Sequence, residues 1–230
     1  MTDSNEVLAE KLNTAWKFFH HGGYIDGFGH ISARTQDPNR VLMTPHELDG
    51  NSHPEDFVIV DLGGKQYGSD VKLPGEIEIH LGIYRNRPDV GSVSHFHCCH
   101  ATSFSMSEHA LEPSYFVASI FQSGVPIHPD PQLVSTRELG EGLAKTLGPH
   151  RAALIRAHGI VVTGTDIEEM AAGVYILEDN AKRTWIAASM GKHETLGKAE
   201  AIELEGKVLK HRGPIKRVWR FINETVAAQS

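Results

Sequence analysis

The sequence predicts one α/β domain built on a mixed or antiparallel sheet. Segments with helical apolar spacing alternate along the chain with short runs rich in β-branched residues. Several links between the apolar runs are too short to hold a helical crossover, which disfavours an all-parallel sheet. A length of 230 residues, 40% hydrophobic and 22% charged, suits one domain with its own core.

In chain order, Leu8, Leu12, Ala15, Trp16 and Phe19 repeat at helical spacing, and Gly22-Gly23 supplies the stop. Residues 40–45 (RVLMTP) and 57–62 (FVIVDL) read as strands around a polar stretch, His46 to Glu55. Pro74 opens a helix to about Asn86, on which Glu76, His80 and Tyr84 recur every four residues. Residues 91–97 read as a strand, 115–121 as a further apolar element, and 125–127 as a strand before the Pro129–Pro131 loop. Residues 137–147 read as a helix with Leu139, Leu143 and Leu147 on one stripe. ALIRA and IVVTG predict two strands around a tight turn or bulge at His158-Gly159. Asp166 to Ala188 is the longest helix, capped by Thr165 or Asp166, with Glu168 and Glu169 at its positive end. Residues 1–230 are taken as a single domain, with 190–230 a C-terminal extension or an oligomer contact.

The formal charge of −7 and the lack of a basic stripe argue against a nucleic-acid partner or an anionic membrane surface. No signal-peptide core and no 18-residue apolar run is present, so no membrane partner is expected and the cytoplasm is the expected location. Cys98 and Cys99 are the only cysteines. Adjacent thiols do not form a loop-closing framework, and both are expected to be reduced and buried.

The densest chemistry lies in the stretch SHFHCCH at 94–100. His95 and His97 are two apart, which on a strand points both imidazoles the same way. Two such donors hold a divalent metal if a third arrives from another element, and His158, beside Gly159 at a strand end, is a candidate. Glu76 can add an oxygen ligand or act on a bound substrate. From the spacing alone, cross-strand histidines that merely hydrogen-bond remain an alternative.

Taken together and in order, GFGHISAR at 27–34, LMTP at 42–45, KLPGEIEIH at 72–80, RPDVGSVSHFH at 87–97 and RAHGIVVTG at 156–164 resemble the class II aldolase/adducin family. The resemblance covers about Leu8 to Ala188. It implies a three-layer α/β/α fold around a mostly antiparallel central sheet and a homotetramer with active sites between subunits. It also implies a divalent metal held by His95, His97 and His158, zinc first, with manganese or cobalt as alternatives. By the same resemblance Glu76 matches a carboxylate that ligates metal or serves as acid/base, and Tyr115 lies near a catalytic tyrosine. Where sugar-phosphate aldolases of the family cradle phosphate, this chain has Gly29-His30, His46-Glu47 and Pro74-Gly75. Glu47 would repel a phosphate dianion in that pocket.

The expected function is therefore metal-dependent, non-oxidative decarboxylation of a small hydroxylated aromatic or unsaturated oxo-acid. Glu76 and Tyr115 are the expected catalytic residues, and His30, Arg34 and His46 the expected substrate contacts. Aldol cleavage of an unphosphorylated hydroxy-acid or sugar, and a non-enzymatic adducin-like interaction domain, are the alternatives. No organic cofactor motif is apparent.

Overall fold

The computed structural model describes residues 3–229. Its centre is an eight-stranded sheet: β1 (Gly29–Arg34), β2 (Arg40–Met43), β3 (Val58–Asp61), β4 (Gln66–Tyr67), β5 (Ser92–Phe96), β6 (Ile127–His128), β7 (Ala152–Ile155) and β8 (Gly159–Gly164). The spatial order is β4-β3-β2-β1-β5-β8-β7-β6. Every neighbouring pair is antiparallel except β6 with β7. Short links make antiparallel neighbours, as the sequence predicts.

Seven helices complete the architecture: α1 (Asn5–His21), α2 (Ile77–Asn86), α3 (Cys99–Phe104), α4 (Arg137–Leu147), α5 (Ile167–Ser189), α6 (Lys198–His211) and α7 (Gly213–Ala227). Strand side chains alternate between faces, so the sheet feeds two separate cores. On one face Val41, Val60, Val93 and Val161 pack with Ile79 and Ile83 of α2 and Leu143 and Leu147 of α4. On the other, Ile31, Phe96, Ile160 and Val162 pack with Leu12 and Phe19 of α1 and with Val174 and Leu177 of α5. The protein is a three-layer α/β/α structure with a largely antiparallel central sheet.

Several elements differ in detail from expectation. GHISAR, not read as a strand, is β1 and sits mid-sheet between β2 and β5. The helix expected from Pro74 starts at Ile77, which leaves Glu76 at its N-cap. The apolar element at 115–121 is a 3-10 helix, Phe116–Phe121. Cys98 is buried, but Cys99 begins α3 and is exposed, so only one thiol matches the buried reading. Residues 190–230 supply α6 and α7, which bury Val208, Ile215 and Ile222 completely. Both helices pack on the same body, α7 against α1 and α5 and α6 against the 3-10 helix.

Asp166 caps α5 by accepting from the Glu169 N–H at 2.9 Å, and it also takes Arg212 at the start of α7. Burial opposes its ionisation, yet the Arg212 hydrogen bonds and the cap hold its pKa below the usual value. A depressed carboxylate contributes stability above its unfolded pKa and loses it as pH falls through the folded one. In urea titrations, Asp166→Asn is expected to be less stable than wild type at neutral pH. That gap should close on acidification below about pH 4. A gap that widens in acid would contradict the ion-pair role.

α2 and α4 touch backbone to backbone. A Cβ built on Gly82 would lie 2.6 Å from the carbonyl carbon of Gly140. Alanine improves helix propensity by about 1 kcal/mol, but overpacking here forces the helices apart at a cost of roughly 1–3 kcal/mol. Gly82→Ala is therefore expected to lower the urea midpoint, and a raised midpoint would show that the contact is slack.

Candidate metal centre and substrate cleft

Three strands meet where the site forms. β5 pairs with β1 on one side, His95 opposite His30, and with β8 on the other, Phe96 opposite Ile160. His97 follows the end of β5, and His158 closes the turn between β7 and β8. That turn places Ala157 at φ 54°, a backbone region few side chains adopt, with its N–H held by Ser105 Oγ at 2.9 Å. Gly159 is required by close approach: a Cβ there would meet Phe96 O at 2.6 Å and the rings of His95 and His97 at 2.9 Å. The sequence thus clears space for two imidazoles beside a third.

Within this space His95, His97 and His158 each offer a ligand atom within 4.8 Å of the others. Nδ1 of His95 donates to Ile160 O at 3.0 Å, so the hydrogen of the neutral ring sits there and Nε2 is bare. Burial pushes the His95 pKa well down, with neighbouring His30 adding to the effect, which keeps the ring neutral. Its Nε2 has no hydrogen-bond partner, and neither does Nε2 of His97, although both are buried. Burying unpaired polar atoms is costly unless something fills the space between them.

Glu76 faces the same space. Its Oε1 accepts from the Val134 N–H at 2.9 Å, while Oε2 lies 3.6 Å from His95 Nε2 and 3.5 Å from His158 Nε2. Burial works against ionisation of Glu76, but His158, His95 and the Val134 N–H outweigh it and hold the pKa at about 2. His158 moves the other way, raised chiefly by its hydrogen bond to Glu76. A bare imidazole nitrogen and a carboxylate oxygen are both acceptors, so the pair His95–Glu76 has no proton to share. A cation between them resolves that conflict. The donor set, imidazole nitrogens plus one carboxylate, fits a divalent first-row metal. His97 also has Asp26 Oδ1 at 3.5 Å from Nδ1, a partner that orients the ring.

The remaining expected residues divide. His30 and His46 line a cleft of about 720 Å³ together with Glu76, Phe28 and Leu133. Arg34 is not brought there. Its guanidinium donates to the carbonyls of Val90, Pro38, Tyr84 and Arg87, which ties β1 to the end of α2 and leaves no free fork for a carboxylate. Tyr115 packs under Arg183, 4.8 Å from ring centroid to guanidinium, with its hydroxyl beside Asp179; burial and that carboxylate raise its pKa. It makes no contact with the histidine cluster among the described residues. Glu178 on α5 caps α3 by accepting from the N–H groups of His100 and Ala101.

The sequence profile of the Class II Aldolase and Adducin N-terminal domain matches residues 10–185. The chain belongs to this family. A 3-oxo-tetronate 4-phosphate decarboxylase of Haemophilus influenzae is 30% identical over 193 residues, covering 79% of this chain and 88% of the relative. An L-fuculose phosphate aldolase of Escherichia coli K12 is 31% identical over 171 residues, covering 73% and 77%. Among solved structures, an aldolase II superfamily protein from Pseudomonas syringae superposes with a TM-score of 0.87 at 20% identity, covering 100% and 96%. Class II aldolase relatives thus include proteins named for decarboxylation and for aldol cleavage, and the histidine and glutamate groups are suited to metal-assisted lyase chemistry of either kind. No helix among the described residues is long and apolar enough to cross a membrane.

Calorimetric titration of the chelator-treated protein with zinc is expected to give one site per chain. His95→Ala should weaken it by more than the roughly 10–100-fold that losing an outer partner costs. Unchanged affinity in that variant would remove His95 from the ligand set.

Proposed function

We propose that this class II aldolase-family protein is a metal-dependent, non-oxidative decarboxylase of a small unphosphorylated acid, a hydroxylated aromatic or an unsaturated oxo-acid. The observation that carries this reading is the lining of the cleft. Among the described residues its lining has no lysine or arginine, while Glu47, Asp49 and Glu76 give it negative charge. Within the chain a phosphate dianion would find no cationic partner there. His30, kept neutral by burial, is a hydrogen-bonding partner better matched to a single carboxylate, and His46 stands beside it. Phe28, 65% exposed and stacked on His97 at 5.5 Å, offers an aromatic face at the cleft mouth.

His95, His97 and His158 are the proposed metal ligands, with zinc preferred over manganese or cobalt for an imidazole-rich set. A bound divalent cation supplies positive charge to the oxygens beside the breaking bond. The chain's own groups do the rest. Glu76 is ionised at neutral pH, so its first act is to accept a proton, from the substrate hydroxyl. As carbon dioxide leaves, its bonding electrons stay on carbon, and Glu76 Oε2 returns the proton to that carbon. The product oxygen then takes a proton from solvent. Val134 N–H on Oε1 keeps Oε2 aimed into the site throughout. Tyr115 can take part only from a neighbouring copy, in the homotetramer with shared sites that the family resemblance implies.

Aldol cleavage is the second reading, favoured by the relative named L-fuculose phosphate aldolase. The same metal and carboxylate would serve it, with an aldehyde as product instead of carbon dioxide. An adducin-like role without chemistry is disfavoured by the buried, unpaired imidazole nitrogens, which a purely structural domain has no reason to keep.

Zinc-loaded protein incubated with dihydroxybenzoates, dihydroxyphthalates and sugar phosphates separates the readings. Carbon dioxide release from an unphosphorylated acid is expected, and Glu76→Gln should cut it by about 100-fold or more while leaving the melting curve cooperative. Aldehyde release from a sugar phosphate, with no carbon dioxide from any acid, would overturn the proposal.

A further inference from the structure

Behind the cleft runs a buried hydrogen-bonded chain that the metal chemistry does not use. His30 Nδ1 lies 2.7 Å from His80 Nε2; His80 Nδ1 lies 2.6 Å from Ser32 Oγ; and Ser32 Oγ lies 2.9 Å from the Tyr84 hydroxyl. His80 and Ser32 are wholly buried, and Tyr84 and His30 nearly so. The spacing builds it: His30 and Ser32 share a face of β1, and His80 and Tyr84 lie one turn apart on α2.

We propose that this chain fixes His30 as the tautomer bearing its hydrogen on Nε2, which makes it a hydrogen-bond donor to an anionic oxygen in the cleft and excludes it from the metal's ligands. The matter is not trivial, because His30, Glu76 and His95 form a second group with metal-ligand spacing.

The direction follows from counting hydrogens. Every imidazole ring carries at least one hydrogen, and a ring nitrogen that accepts a hydrogen bond carries none. The Tyr84 hydroxyl has two neighbours, Ser32 Oγ and the backbone N–H of Val93. The N–H can only donate, so the phenol hydrogen must go to Ser32 Oγ. Ser32 Oγ has no partners other than Tyr84 and His80 among the described residues. Its own hydrogen therefore goes to His80 Nδ1. That leaves the His80 hydrogen on Nε2, donated to His30 Nδ1, and the His30 hydrogen on Nε2. The reverse direction strands the phenol hydrogen without an acceptor in the core. Among the described residues Nε2 of His30 makes no hydrogen bond, and its ring lines the cleft with Glu76 and His46.

His80, Ser32 and Tyr84 are thus positioning residues, and His30 is the group that meets the ligand. The donor role rests on reading the cleft as the substrate site; the hydrogen placement does not. A group that can only donate selects anionic or carbonyl oxygen over a hydroxyl hydrogen, which suits a substrate carboxylate.

Neutron diffraction from crystals of the metal-free, substrate-free full chain tests it directly. Hydrogen is expected on Nε2 of both His30 and His80, with none on either Nδ1. Hydrogen on His30 Nδ1 would overturn the proposal whatever reaction the protein performs. In Ser32→Ala the donor to His80 is gone, and ¹⁵N ring shifts of labelled histidine should show His30 as a mixture of tautomers. A single unchanged tautomer in the folded variant would remove the positioning role. Finally, His30→Gln should keep zinc affinity within about threefold of wild type, well short of the loss expected when a ligand is removed. A tenfold or greater loss would put His30 back among the ligands.

Discussion

The position of β5 between β1 and β8 is the constraint on which the site depends. Strand side chains alternate between faces, so a slip of one residue in either ladder would turn His95 into the α1–α5 core and Phe96 into the cleft. The register His30↔His95 on one side and Phe96↔Ile160 on the other prevents this. It also delivers the Ile160 carbonyl to His95 Nδ1, which is what leaves Nε2 bare. Gly159 admits the two rings, and the Ala157 turn swings His158 back over them. Fold and site share one set of hydrogen bonds.

An electrostatic imbalance follows from that geometry. Nε2 of His95 and Nε2 of His97 lack partners beside an ionised carboxylate. Proteins keep such a grouping where a cation completes it, because the same atoms left dry and unpaired would cost stability. On the far side of His30 the polar chain is different in kind: through His80 and Ser32 to Tyr84 each described hydrogen has an acceptor. One half of the polar interior is closed on itself, and the other is open toward a ligand. The absence of lysine and arginine from the cleft then shapes what that ligand can be.

Much of this was legible before the fold. The two-residue spacing of His95 and His97 and the turn at His158-Gly159 follow from local pattern, whereas Glu76, expected on α2, stands at its N-cap. Their convergence was carried by the ordered motifs shared with the family. What was not legible depended on distant partners. GHISAR is short and polar, and only its place between β2 and β5 makes it a central strand. Arg34 looks like an anion binder until four backbone carbonyls from Pro38 and the end of α2 are seen to occupy it. His80 and Tyr84 stood out by their spacing from Glu76, yet Ser32, which links them, carried no signal of its own. Cys99 read as a buried thiol, but the chain turns into α3 there and exposes it.

X-ray absorption at the zinc edge of the loaded protein tests the central claim most directly, since it sees the ligand atoms themselves. The account requires a first shell of nitrogen and oxygen alone, near 2.0–2.1 Å, with the outer-shell scattering of about three imidazoles. Sulfur at about 2.3 Å would place Cys98 or Cys99 in the shell. Such a result would contradict a centre built by His95, His97 and His158.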